Sequence, residues 1–267
     1  MNTTLLLVGC GNMGGAMAAG WVAQGRAEAL TVVEPLAERV PAGVRHRMEP
    51  VGLAPRDVVI LAIKPQMLGK AAPALAPLVG PNTILLSILA AVEIATLRHY
   101  FPGAKAIVRA VPNLPAAIGA GVTALAAEGL DAKGRTLMTA LCEPLGSIVW
   151  LDNEAQIDAA TSVSGCGPAF LFRYAEAVVE AGMAQGLTAT QARQLIAATM
   201  VGAGRMLMTG DETPGAMANR VASPGGVTLA GLAVLDEDAA LLRLLAETLA
   251  AAGRRSAEMA VETRPAG

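Results

Sequence analysis

The stretch Leu5-Leu6-Leu7-Val8-Gly9-Cys10-Gly11-Asn12-Met13-Gly14 decides the reading of this chain. The apolar run reads as a strand, Met13–Ala23 reads as a helix, and the glycines fall on the junction between them. Gly9 permits a tight turn, Gly11 lets backbone approach a pyrophosphate, and Gly14 lets the helix pack close to the strand. The helix N-terminus, with Asn12 and Met13 in its first turn, presents oriented N–H donors to anionic oxygen. Glu34 stands twenty residues past Gly14, at the end of the second apolar run, where an acidic group holds an adenosine ribose diol. Its other reading is a solvated strand-end charge. A carboxylate there accepts from the 2′-hydroxyl of NAD and repels the 2′-phosphate of NADP, so NADH is expected over NADPH, with Arg39 one turn later still within reach.

Outward from this turn, short apolar runs alternate with Ala-rich stretches: Leu30–Val33, Val58–Ile63, Ile84–Ile88, Ala106–Val108, Val122–Leu125 and Ile148–Leu151. Runs this short and apolar suit parallel strands covered on both faces, with Met13–Ala23, Gln66–Leu78 and Ala132–Cys142 as crossover helices. The expected fold is α/β: an N-terminal Rossmann-type doubly wound parallel sheet over residues 1–152, then an all-α domain over 153–267. In that second part helices are expected near Pro168–Gln185, Ala189–Met208, Gly225–Leu235 and Glu237–Val261, punctuated by Gly186, Thr209-Gly210-Asp211 and Ser223-Pro224-Gly225-Gly226. Several are apolar on more than one face and need partners on several sides.

Composition narrows the classes. The 267 residues carry 20 Lys+Arg against 22 Asp+Glu, so no basic surface exists for nucleic acid. Hydrophobic residues at 54% and charged residues at 16% exclude disorder and imply an oligomer. The uncharged run before Arg26 turns glycine-rich after Val8, and the run from Ala71 to Val92 is broken by Pro73, Pro77 and Pro81, so neither spans a membrane. The expectation is a soluble, cytoplasmic protein. Cys10, Cys142 and Cys166, with His46 and His99, have neither disulfide nor metal-ligand spacing, and no metal is expected.

Other candidate residues sit at strand ends and helix starts. Ala62-Ile63-Lys64-Pro65-Gln66 places Lys64 at the carboxyl edge of the sheet, as a ligand-facing group or as a surface lysine before a helix that Pro65 starts. Arg109-Ala110-Val111-Pro112-Asn113 places Asn113 on the same rim, as a ligand or as a turn former. Two junctions, Ser164-Gly165-Cys166-Gly167-Pro168 and Ser223-Pro224-Gly225-Gly226-Val227-Thr228, read as helix N-termini open to an anion or as simple caps. Neither histidine lies where the helical half would deliver a general base. Tyr100 and Tyr174 lack a Lys four residues on, and the only lysines are Lys64, Lys70, Lys105 and Lys133, none of them in the helical half. A reaction needing little acid–base help remains.

Taken in order, Gly9–Gly14, Ala62–Gln66, Arg109–Asn113, Ser164-Gly165-Cys166-Gly167-Pro168-Ala169-Phe170 and Ser223–Thr228, continued by Ala230-Gly231-Leu232 and Leu235-Asp236, resemble the pyrroline-5-carboxylate reductase family across essentially the whole chain. The resemblance implies hydride transfer from NAD(P)H to the C=N carbon of a small cyclic imine carboxylate, giving L-proline. It also implies that Ser223 and the amides of Gly225, Gly226, Val227 and Thr228 hold the substrate carboxylate, with the Thr228 hydroxyl at the ring nitrogen. Gly9, Gly11, Asn12, Met13, Gly14, Glu34, Ala62, Ile63, Lys64, Pro65 and Asn113 would then border the cofactor. Homodimers joined through the helical domain, or dimer-based larger rings, are implied as well. The chain departs from the family at Cys166 (usually Ser), Phe170 (usually Tyr), Leu114 (commonly Thr), Ala91 (Gly) and Glu93 (Ser/Thr). A carboxylate at 93 beside an anionic substrate weakens binding unless it points away. The competing readings are a reductase of a related cyclic imine or keto acid, and a non-catalytic NADH-binding regulatory protein.

Overall fold

A computed structural model describes residues 3–264. Its strands are β1 (Leu5–Val8), β2 (Leu30–Val33), β3 (Arg45–Arg47), β4 (Val58–Leu61), β5 (Ile84–Ser87), β6 (Ala106–Val111), β7 (Gly121–Glu128) and β8 (Gly146–Trp150), which form one sheet in the order β3-β2-β1-β4-β5-β6-β7-β8. In β1, β2, β4 and β5 every residue is buried, because both faces of the sheet are covered and the two-residue period sends alternate side chains to opposite cores. Leu5, Leu7, Val58 and Ile60 enter one core with Trp21 and Leu141. Leu6, Val8, Val59 and Leu61 enter the other with Leu75 and Phe101. Each such Leu contributes roughly 1.5–3 kcal/mol by leaving water. The Trp21 indole N–H is not orphaned by burial, since it donates to the Leu141 carbonyl at 2.7 Å.

The expected doubly wound sheet is present, with one correction: β7 runs antiparallel to β6. The connection between them spans residues 112–120, a 3-10 turn over Leu114–Ile118 closed by left-handed Gly119 (φ +68°), and it is too short for the crossover a parallel partner requires. β3 was not expected from the sequence, because Arg45-His46-Arg47 is a half-exposed edge strand with no apolar run.

The helices of the sheet portion are α1 (Asn12–Ala23), α2 (Leu68–Leu75), α3 (Ile94–Tyr100), α4 (Ala132–Cys142) and α5 (Ile157–Ala160). They are followed by α6 (Gly167–Ala184), α7 (Ala189–Thr209), α8 (Pro214–Arg220), α9 (Val227–Asp236) and α10 (Ala240–Thr263). Short α3 and α8 escape the sequence reading. The chain divides into two compact units, one ending at Cys166 but regaining the residues from Ala251 on, the other Gly167–Ala250. This differs from a boundary at 152. Ile157 of α5 is buried in the sheet unit, and Ser256 of α10 donates to Asp158 Oδ1 at 2.7 Å.

In the second unit α6 packs on α7, aided by Gly182, where a Cβ would lie 3.3 Å from that of Ala192. A capping box between Thr188 and Gln191 starts α7, and Thr213 caps α8. Its buried residues among those described are Pro168, Ala192 and Ile196 alone. Phe172, Leu195, Val201, Leu242 and Leu244 are all more than half exposed. A unit with so little core of its own requires a covering surface. Among the described residues no helix is long and apolar enough to cross a membrane, and no cluster of His, Cys, Asp and Glu has metal-binding geometry.

Candidate active site

The three glycines of the first turn divide by what surrounds them. Gly9 sits at φ +93°, and a Cβ on it would lie 2.5 Å from the Ala62 carbonyl oxygen; one on Gly14 would lie 2.3 Å from the Gly9 carbonyl oxygen. The fold itself therefore demands these two. Gly11, the residue preceding α1, has nothing within 4 Å of a Cβ. No side chain caps α1 and no acidic residue stands in its first turn, so its leading N–H groups are available to an anion beside an open cradle. These residues fit a dinucleotide pyrophosphate.

Glu34, at 6% exposure, is held from both sides: Oε2 accepts the Cys10 N–H at 2.8 Å and Oε1 accepts the Leu36 N–H at 3.2 Å. Arg39 Nη1 lies 3.9 Å from Oε1 and is half exposed. Burial and the neighbouring Glu34 push the Cys10 thiol above its ordinary value of 9.0, with Arg39 opposing them. This group edges a cleft of about 360 Å³ that also takes in Gly9, Gly11, Ala62, Ile63 and exposed Lys64. Pro65 opens the 3-10 turn Pro65–Met67, as its position after Lys64 predicts.

A second cavity of about 480 Å³ lies past the carboxyl ends of β5 and β6, lined by Met13, Leu89, Ala90, Val111, Cys166 and Met259 among others. Gly11 faces the first cleft and Met13 the second, so the start of α1 serves both. The charged side chains at the second cavity are Arg109, 6% exposed, and Arg255. Arg109 Nη1 donates to Glu154 Oε1 at 2.6 Å, and the same oxygen accepts the Ile94 N–H at 2.7 Å. Deleting either member of such a pair leaves an unpaired charge and costs about 3–5 kcal/mol when buried.

Glu154 and the α10 residues Arg255, Ser256 and Met259 were not singled out from the sequence. Arg255, Ser256 and Met259 reach the cavity, and Glu154 reaches Arg109 on its wall, through contacts remote in the chain that no local pattern signals. Asn113 does not line either cavity: its Nδ2 donates to the Ser164 carbonyl at 3.1 Å and its Oδ1 accepts the Val122 N–H at 3.0 Å, so it holds the β6–β7 loop against residues 161–165. The Ser164–Pro168 junction is not an open helix start. Thr161–Gly165 form a π turn in which the Cys166 N–H donates to the Thr161 carbonyl at 2.8 Å, consuming an amide that a helix N-terminus would leave free.

The other junction starts a helix within the helical unit. Gly225 takes φ +70°, the Gly226 N–H donates to the Ser223 carbonyl at 2.9 Å, and no side chain caps α9 at Gly226. Ser223, Val227 and Thr228 are exposed. Glu93 is tied in a fork to Arg264, Oε2 to Nε at 2.9 Å and Oε1 to Nη2 at 3.0 Å, which holds its carboxyl below the ordinary value of 4.5.

A family model described as pyrroline-5-carboxylate reductase dimerisation matches residues 154–259, and one described as NADP oxidoreductase, coenzyme F420-dependent, matches residues 4–91. The chain is 34% identical to a pyrroline-5-carboxylate reductase of Pseudomonas aeruginosa over 96% of both chains. It is 37% identical to one of Synechocystis over 76% of this chain and 75% of that one. Among solved structures it resembles a pyrroline-5-carboxylate reductase of Coxiella burnetii with a TM-score of 0.90, 28% identity and 100% coverage of both chains. The Plasmodium falciparum pyrroline carboxylate reductase with NADP bound gives a TM-score of 0.82 at 25% identity, covering 97% of this chain and 98% of that one. The dimerisation match takes in the helices whose apolar faces lie bare in a single chain, and it supports a homo-oligomer.

Proposed function

This chain belongs to the pyrroline-5-carboxylate reductase family, and on that premise we propose that it reduces the C=N bond of 1-pyrroline-5-carboxylate with NADH to give L-proline, the last step of proline biosynthesis. The observation that carries the reading is the open cradle at Gly11 between two cavities, one edged by a buried carboxylate and the other largely apolar with Arg109 and Arg255 on its wall. It suits a long ligand with an adenosine ribose at Glu34 and a reactive ring beyond Met13.

When bound, the reduced nicotinamide supplies a hydride to the imine carbon, while the ring nitrogen gains a proton. The protein's share is positioning and charge stabilisation, since a protonated imine is already electrophilic. The N–H groups of Asn12, Met13 and Gly14 hold the pyrophosphate, with Gly9 and Gly14 fixing the turn. Ala62, Ile63, Lys64 and Pro65 form the wall after β4, and Asn113 holds the loop at the rim. Ser223 with the amides of Gly225, Val227 and Thr228 takes the substrate carboxylate at the uncapped start of α9, while the Gly226 N–H closes the turn onto the Ser223 carbonyl at 2.9 Å. The Thr228 hydroxyl serves the ring nitrogen as hydrogen-bond partner or proton donor.

Glu34 favours NADH over NADPH by repelling a 2′-phosphate. The assembly is a homodimer or a ring of dimers, and the enzyme works in the cytoplasm. A second reading, a related cyclic imine such as piperideine carboxylate, draws on Cys166 and Ala91, which face the 480 Å³ cavity where the family usually has Ser and Gly. Loss of reduced-nicotinamide absorbance with racemic pyrroline-5-carboxylate, beside a panel of cyclic imines and keto acids, separates the two. Cofactor binding without turnover on any of them would instead support a regulatory protein.

A further inference from the structure

The loop between β5 and α3 walls the larger cavity with Ile88, Leu89, Ala90 and Ala91. Its backbone is unusual, because Ala91 takes φ +59°, the left-handed region that alanine rarely adopts. Such a conformation persists only where the surroundings over-determine it. Here it is pinned from three directions by residues distant in sequence. The Thr263 hydroxyl, 3.0 Å from the carbonyls of both Ala91 and Ala260, shares its one proton between them, Arg264 grips both carboxylate oxygens of Glu93 at 2.9 and 3.0 Å, and Glu154 accepts the Ile94 N–H at 2.7 Å.

We propose that Thr263 and Arg264, at the end of α10, are positioning residues that clamp the 88–93 loop as a wall of the substrate cavity and hold the Glu93 carboxylate away from the anionic substrate. The proposal rests on the proposed function, in which that cavity takes the reactive ring of an anionic imine. Three observations support it. A guanidinium fork on a carboxylate fixes orientation as well as distance, which a single bond does not. The same helix sends Ala252, Arg255, Ser256 and Met259 into the cavity wall, so loop and helix end form one side of it. Glu93 also feels the positive charge of Arg109, which lines the cavity, so a released carboxylate has a cation inside the site to turn towards. Loss of Arg264 therefore does two things: it frees a loop with a left-handed alanine, and it leaves a negative charge loose beside the cavity that takes the ring of an anionic substrate.

The test compares Arg264→Gln, Arg264→Lys, Glu93→Gln and the double variant Glu93→Gln/Arg264→Gln, by steady-state kinetics at saturating reduced nicotinamide and by hydrogen exchange of the 88–94 amides without ligand. Arg264→Gln raises KM for the imine by about 5–10-fold with kcat within about twofold, because a like charge next to the anion weakens binding without touching the hydride step. Arg264→Lys falls between, and the double variant regains most of the lost affinity because no carboxylate remains to repel. Exchange of the loop quickens roughly tenfold in Arg264→Gln. An unchanged KM together with unchanged exchange would overturn the clamp, as would a double variant no better than Arg264→Gln. Should Arg264→Gln fold poorly, Glu93→Gln breaks the same fork from the other side and must quicken exchange likewise. If the wild type turns over no imine, the functional reading fails, while the exchange arm still decides whether the clamp exists.

Discussion

The Glu34 carboxylate accepts the main-chain N–H of Cys10 at 2.8 Å and so joins the end of β2 to the glycine turn after β1. With the Leu36 N–H on its other oxygen, the carboxylate has a fixed direction at the edge of the smaller cleft while retaining lone pairs for a diol. Glu34→Gln removes the charge and keeps the shape. The expected result is a fall of about tenfold or more in the ratio of kcat/KM with NADH to that with NADPH, since repulsion of a 2′-phosphate disappears and a charged hydrogen bond weakens. An unchanged ratio would remove Glu34 from cofactor choice.

Gly11 and Gly14 separate cofactor binding from folding. A Cβ on Gly11 meets no protein atom within 4 Å, whereas one on Gly14 lies 2.3 Å from the Gly9 carbonyl oxygen. Gly11→Ala should keep its melting temperature within a few degrees and lose tenfold or more in NADH affinity, each tenfold being about 1.4 kcal/mol. Gly14→Ala should lose stability, with overpacking typically costing about 1–3 kcal/mol. Calorimetry and cofactor titration on both variants check this pair.

The helical unit cannot be stable as a monomer with its apolar faces in water. Sedimentation should show a dimer or a multiple of it, with no folded monomer at micromolar concentration. Leu242→Glu, at a residue 71% exposed in the single chain, should shift the distribution downward and lower the melting temperature. A monomeric, fully stable wild type would contradict the account.

The Arg264 fork, together with Arg109, depresses the Glu93 carboxyl below its ordinary value of 4.5. A depressed carboxyl stabilises the fold above its unfolded value, and the contribution disappears as pH falls below 4.5 through the lower folded value. Wild type should therefore lose stability more steeply than Arg264→Gln below that pH. Asp131, also depressed by Lys105 and the Gly134 N–H, acts in both proteins and drops out of the difference. Melting temperatures measured from neutral pH into this range provide the comparison.

The parts of the fold that show in the sequence are those whose signal is local. Leu5–Val8 and Leu30–Val33 read as strands because both faces are buried and no polar residue is admitted but Thr31, and Ala132–Cys142 reads as a helix, which in the structure Asp131 caps by accepting the Gly134 N–H. β3 stays hidden because an edge strand carries no apolar run. Ser164–Pro168 has the glycine, serine and proline of a helix start, yet the π turn places those residues inside helical structure. The site divides similarly: Gly9–Gly14 and Glu34 follow from spacing, but Met259 reaches the cavity wall, Glu154 reaches Arg109 and Arg264 reaches Glu93 from remote segments. The partner that Glu93 turns to lies 171 residues away, and no neighbouring residue announces it.

The most direct test of the central claim is the oxidation of NADH by the purified protein with racemic pyrroline-5-carboxylate, run beside NADPH and beside Thr228→Ala. Turnover yielding L-proline, faster with NADH and reduced about a hundredfold or more in Thr228→Ala, is the predicted result. NADH binding with no turnover of this imine would contradict it.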